Sequence, residues 1–100
     1  QKLQTDLYNG LYVPPTLRVR RGDRIELELR NRIDMQSNLH YHGTNVSPLG
    51  DSDNVFLHLF PTEDFLYRID IDEQHPQGLF YYHPHLYGLT QEQIAGGMSG

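Results

Sequence analysis

The chain has 100 residues, 37% of them hydrophobic, with 8 basic and 13 acidic side chains and a formal net charge of −5. That length sets one domain with a modest core, and an acidic chain is a poor partner for a phosphate backbone, so no nucleic acid is expected. No run approaches the roughly 18 apolar residues of a membrane span, and the lack of cysteine excludes disulfides and thiolate metal sites alike.

The opening Gln1-Lys2-Leu3-Gln4-Thr5-Asp6 is polar and does not read as a signal peptide. Pro14-Pro15 suits an extended approach rather than a helix. Leu17-Arg18-Val19-Arg20 alternates and stops at the turn pair Gly22-Asp23, and Arg24 to Arg30 alternates again, so a hairpin or a neighbouring pair of strands is expected. Most of the basic residues crowd between Arg18 and Arg32. They interleave with Leu17, Val19, Ile25, Leu27 and Leu29, which makes them the wet face of two strands. Leu39 to His42 reads as the third strand, closed by Gly43, and residues 43–54 as a long polar loop. Val55 to Leu59 reads as a short strand ending at Pro61, Phe65 to Ile71 as a half-buried strand, Gln74 to Gly78 as a turn and Leu79 to His83 as an aromatic-rich strand. Thr90 to Ala95 is the one helical stretch, with Thr90 as its N-cap. Short strands at this spacing predict an antiparallel sandwich. After the connecting-type stretch Gly96-Gly97-Met98-Ser99-Gly100 a further strand is expected, so residues 1–100 read as one domain without its last strand, a fragment of a longer protein.

Four of the six histidines fall in two pairs, His40-Tyr41-His42 and His83-Pro84-His85. Residues two apart in a strand share a face, with Cα atoms about 6.6 Å apart. Each pair therefore projects two imidazoles one way, and two such strands side by side give a four-imidazole cluster. Imidazole is the commonest metal ligand and suits zinc, copper, iron and nickel. His58 and His75 read differently. His75 precedes Pro76 in a turn and is expected to hydrogen-bond locally, while His58 sits among apolar neighbours with no paired partner. A mononuclear zinc site needs only one pair and a third ligand. A cupin strand wants a glutamate where Thr44, Asn45, Val46 and Ser47 stand. An iron triad needs a carboxylate, which Asp51 or Asp53 supplies only if the loop folds back. A multinuclear copper site uses all four imidazoles, and its binding is expected to weaken below about pH 6 as they protonate.

Leu39-His40-Tyr41-His42-Gly43 resembles the His-aromatic-His-Gly motif of multicopper oxidases. Phe80-Tyr81-Tyr82-His83-Pro84-His85-Leu86-Tyr87-Gly88-Leu89, followed by Gln93 to Gly100, resembles their second histidine motif and the glycine-rich segment after it. Asn9-Gly10, Pro15 to Asp23, Asn31-Arg32 and His75-Pro76-Gln77-Gly78 fit the same pattern in the same order. The resemblance implies an all-β, cupredoxin-like Greek-key sandwich or barrel, the N-terminal domain of a two- or three-domain protein. Carried over by position, it implies His40 as ligand of a type 2 copper, His42 and His83 as ligands of one type 3 copper and His85 as ligand of the other. In that family the trinuclear cluster reduces O₂ to water. Tyr41 replaces the usual tryptophan, and Tyr87 stands where bacterial relatives commonly have histidine. The family's cluster takes eight histidines and its blue copper a cysteine. The missing ligands are therefore expected from another cupredoxin domain or a neighbouring subunit, and the chain alone is not expected to be active. Asp51 and Asp53 are candidates for proton delivery, and a periplasmic or extracellular location is expected. The competing readings are a non-catalytic copper-binding or protein-interaction module and a mononuclear zinc or iron enzyme.

Overall fold

The computed structural model describes residues 5–100, so the first four residues of the polar opening lie outside it. Its elements in order are β1 (Arg24–Arg30), β2 (His40–His42), β3 (Asp64–Asp70), β4 (Tyr81–His83) and α1 (Thr90–Ala95). The strands form two antiparallel ribbons, β1 with β3 and β2 with β4. The all-β class expected from the sequence is what the described residues adopt.

The first ribbon follows from a period of two. Ile25, Leu27 and Leu29 face Ile69, Tyr67 and Phe65 across the pair, while Arg24, Glu26 and Arg30 face Asp70, Arg68 and Asp64 on the outer side. Opposite charges thus stand directly across the wet face, where cross-strand pairs interact. Arg24 meets Asp70 at 2.7 Å, Arg32 meets Asp64 at 2.8 Å and Arg68 meets Asp51 at 2.9 Å. The arginine-rich stretch is therefore a solvated, paired surface.

Leu17 to Arg20 is not a strand, which corrects the hairpin expectation. Leu17 and Val19 remain 38% and 45% exposed, so the alternation there has no buried face to drive pairing. The Gly22-Asp23 turn instead hands the chain to the end of β3: Gly22 N–H donates to the Ile71 carbonyl and Ile71 N–H to the Asp23 carbonyl, both at 2.8 Å. The expected strand at Val55 to Leu59 shrinks to one bridge between Leu59 and Ser37. The aromatic strand starts only at Tyr81, because Leu79 is fully exposed. The helix spans Thr90–Ala95 as expected, but its cap is different. Leu89 is its N-cap, and the Thr90 hydroxyl donates to the Leu86 carbonyl at 2.8 Å from within the first turn.

Leu39, Tyr41, Tyr67, Ile69 and Ile71 form the core. Tyr67 is wholly buried, and its hydroxyl oxygen accepts the Leu39 N–H at 3.1 Å. Burial pushes the Tyr67 phenol up to about 12, so it stays neutral and holds the start of β2 against β3. Gln93, also fully buried, donates from Nε2 to the Gln36 carbonyl at 2.6 Å and accepts the Ser37 hydroxyl at 3.0 Å. That pins α1 to the segment entering β2. Asn31 does the same for the loop before it, donating to the Met35 and Leu59 carbonyls at 2.9 Å each. Gly43 ends β2 at φ +81°, a left-handed conformation that favours glycine.

Candidate metal centre

The short β2–β4 ribbon builds the site. Its register sets His40 opposite His83, Tyr41 opposite Tyr82 and His42 opposite Tyr81. Directly opposed residues share a face, so His40, His42, Tyr81 and His83 stand on one side. Tyr41 and Tyr82 stand on the other, against the core. Tyr41 keeps a large ring buried there, 6% exposed, between the two histidines that flank it.

One ring nitrogen from each of His40, His42 and His83 lies within 4.8 Å of the other two. The closest approach is His42 Nδ1 to His83 Nε2, at 3.1 Å. His85 lies just past the end of β4, beyond the buried Pro84, so the second histidine pair is not wholly on a strand as expected. Its ring still packs 5.1 Å from that of His40 and 6.2 Å from that of His83, centroid to centroid. All four paired histidines are thus gathered, three of them tightly. Tyr81 covers the group, stacked on His42 at 4.3 Å and on His83 at 5.3 Å.

Hydrogen bonds decide which nitrogens are free. His40 Nδ1 lies 2.9 Å from Asp53 Oδ1, and a carboxylate oxygen accepts, so Nδ1 carries the proton and Nε2 keeps its lone pair. The same carboxylate oxygen accepts the Tyr41 N–H at 3.0 Å. His83 Nδ1 donates to the Pro84 carbonyl at 2.7 Å, which again leaves Nε2 unprotonated. Burial holds the His83 imidazole below the ordinary histidine range; the Pro84 bond opposes this, and the neighbouring His40, His42 and His85 add to it. His83 is therefore neutral at pH 7, the form that binds metal.

The remaining residues separate cleanly. His75 is 5% exposed and saturated, donating from Nδ1 to the Pro76 carbonyl at 2.8 Å and accepting the Asn45 N–H at Nε2, 3.0 Å away. It is a structural latch, as its place before proline suggested. His58 is exposed and outside the three-imidazole group. Asp51 points to Arg68 on the surface, whereas Asp53 is 9% exposed and belongs to the site. Sequence reasoning did not single out Asn38. It is wholly buried and clamps two segments: its Nδ2 donates to the Val55 and His85 carbonyls at 3.0 and 3.1 Å, and its Oδ1 accepts the His85 N–H at 2.6 Å. The signal was there, since an asparagine entering an apolar strand must find partners for every polar atom.

The donor set fits a transition metal that takes neutral imidazole. Two ring nitrogens 3.1 Å apart can both bind one ion at the usual bond length of about 2.0 Å. Outer partners on the far nitrogens fix the rings of His40 and His83, as metal-bound histidines require. Fold and site together define an all-β domain with a cluster of histidines, three of them on one short ribbon, that could hold a metal. The sequence model of the multicopper oxidase family matches residues 1–100. The chain belongs to that family, and the family implies copper. It is 36% identical over 98 residues to the multicopper oxidase elcG of Phaeosphaeria nodorum, covering 94% of this chain and 15% of that protein. It is 28% identical over 93 residues to the multicopper oxidase mco of Staphylococcus haemolyticus, covering 93% of this chain and 20% of the relative. Among solved structures, a multicopper oxidase from Campylobacter jejuni, described as a metallo-oxidase, superposes with a TM-score of 0.84 at 31% identity, over 93% of this chain and 19% of that one. The structural neighbours have the cupredoxin fold expected from the sequence. The chain thus spans a fifth or less of the length of these relatives.

Proposed function

We propose that this domain supplies four histidines of a trinuclear copper centre that reduces O₂ to water. The observation that carries the reading is the 3.1 Å approach of His42 Nδ1 to His83 Nε2, with both rings on one face. His42 and His83 would hold one copper of a type 3 pair, His85 the other, and His40 Nε2 a type 2 copper. Bound copper would supply electrons to O₂ one at a time from several ions. The chain's own residues bind and orient. Asp53 keeps His40 Nδ1 protonated and aims Nε2 outward, the Pro84 carbonyl does the same for His83, and Tyr81 shields two of the rings. Asp53 is also the carboxylate placed to pass a proton beside the cluster; Asp51 is occupied by Arg68.

The remaining histidines and a cysteine-containing blue copper site would come from another cupredoxin domain of the same protein or from a neighbouring subunit. This chain has no cysteine with which to build the latter. The reading places the protein in the periplasm or outside the cell. Expression of the full reading frame, with copper counted by atomic absorption and O₂ uptake followed with a reducing substrate, tests it. Several coppers per protein and O₂ consumption without peroxide release are expected. Zinc without copper uptake would overturn the copper assignment, and copper without O₂ uptake would leave a binding module in its place.

The role of Asp53 has its own expected result. Asp53→Ala removes the acceptor of His40 Nδ1, so copper affinity at the His40 position should fall about 10- to 100-fold, as for other outer-shell partners. Competition titration against a chelator reads it. Unchanged affinity would show that the carboxylate does not orient the ring.

A further inference from the structure

We propose that the stretch of the full reading frame continuing from Gly100 docks as a strand between β4 and residues 15–21, clamping the histidine ribbon from its outer edge. Gly100 already makes the first pair of that strand. Its N–H donates to the Tyr82 carbonyl at 3.0 Å, and its carbonyl accepts the Tyr82 N–H at 2.8 Å. Two residues that exchange both bonds form the hydrogen-bonded pair of an antiparallel ladder. β4 therefore has β2 along one edge and the start of a further strand along the other. A side chain at Gly100 would meet Tyr82 at 2.5 Å and Pro14 at 2.7 Å, so glycine is what lets the backbone approach both.

The extended segment at residues 15–21 forms the far side of the slot and is tied at both ends. At one end the Tyr82 hydroxyl donates to the Pro15 carbonyl at 2.6 Å. At the other, Arg21 Nε donates to the His75 carbonyl at 2.7 Å, and the His75 ring packs 5.4 Å from that of Phe80. The segment thus runs alongside the chain from Tyr82 back to Phe80. Between the ties Leu17 and Val19 are 38% and 45% exposed, while Phe80 and Leu79 on the other side are 41% and 100% exposed. None of these four belongs to a strand. The alternation at Leu17 to Arg20, which pairs with nothing here, is what a strand edge looks like when its partner enters from beyond Gly100. With that partner in place, β4 and its His83 are held from both sides.

The register gives the test. Bonded and non-bonded pairs alternate along an antiparallel ladder, the non-bonded ones with Cα atoms about 4.5 Å apart. Leu79 would therefore stand opposite the third residue after Gly100 in a non-bonded pair. In the full reading frame, Leu79→Cys combined with cysteine at that third position should form a disulfide within one chain, since the pair meets the spacing such a bond needs. Peptide mapping by mass spectrometry without reductant reads the link. Leu79 is fully exposed, so its replacement should leave folding intact. Leu49→Cys with the same second cysteine is the control: Leu49 is 73% exposed on the loop after β2 and should give no link. A second readout needs no substitution. The Phe80 N–H should exchange slowly with solvent deuterium, as a laddered amide does. The absence of the Leu79 link would overturn the proposal, as would an equal yield from Leu49→Cys or a Phe80 N–H that exchanges like an exposed loop amide. A link formed only between two chains would overturn it too, because a second copy would then fill the slot. Copper enters none of these readouts, so their outcome is separate from that of the copper reading.

Discussion

Replacing His83 with alanine is expected to weaken copper binding at the shared His42/His83 position by more than about a hundredfold, beyond the loss of an outer-shell partner. His83 brings three things that alanine lacks. Its Nε2 is the nitrogen 3.1 Å from His42 Nδ1, its Nδ1 is tied to the Pro84 carbonyl, and its burial keeps the ring neutral. The matched control is His75→Ala. His75 is just as buried and also bonds to the carbonyl of a following proline, but it lies outside the three-imidazole group. Both substitutions remove a buried ring and should lower stability by about a few kcal/mol at most, read as a lower urea midpoint. Only His83→Ala should change copper content. Chelator competition and urea unfolding on the two variants separate ligation from packing. Equal copper content in both would remove His83 from the ligand set.

How much of this was legible in the sequence follows from what carries each feature. The first histidine pair was readable because strand geometry puts residues two apart on one face, and His83 joins it as the antiparallel partner of His40. His85, past the end of β4, is gathered by the turn after Pro84 rather than by a strand. The β1 and β3 strands were readable for the same reason, with Ile25, Leu27 and Leu29 marking the inner face. The alternation at Leu17 to Arg20 was no weaker as a pattern, yet it forms no strand. What decides is a partner edge, and the neighbouring backbone groups of β3's end are taken by the Gly22-Asp23 turn. Asp53 and Asp51 looked equivalent on one polar loop. Loop geometry buries one against His40 and leaves the other to Arg68 on the surface, and no local signal separates them. The stacking of Tyr81 was hidden differently: it required knowing that His42 and Tyr81 are cross-strand partners.

Asn38 carries the largest expected effect on stability. Asn38→Ala removes a wholly buried amide and leaves the His85 N–H and two carbonyl oxygens, all part-buried, without their protein partners. At about 1–3 kcal/mol each, three fully buried groups would cost roughly 3–9 kcal/mol. Because His85 is exposed and Val55 half-buried, water meets part of the demand, and a loss toward the low end, roughly 3–5 kcal/mol, is expected. That is a large share of the 5–15 kcal/mol typical of a domain. Asn38→Asp is the sharper experiment, because it preserves shape. If Asn38 only filled space, aspartate would be tolerated. If its amide donates as the geometry has it, aspartate keeps the bond from the His85 N–H but turns two donor contacts into a carboxylate oxygen facing carbonyl oxygens. Asn38→Asp should then be at least as destabilising as alanine at neutral pH, read from the urea midpoint. It should also loosen His85, the one histidine of the four whose backbone this residue holds. A tolerated aspartate would mean that the ribbon alone positions the second histidine pair and that the clamp between the Val55 segment and His85 is incidental.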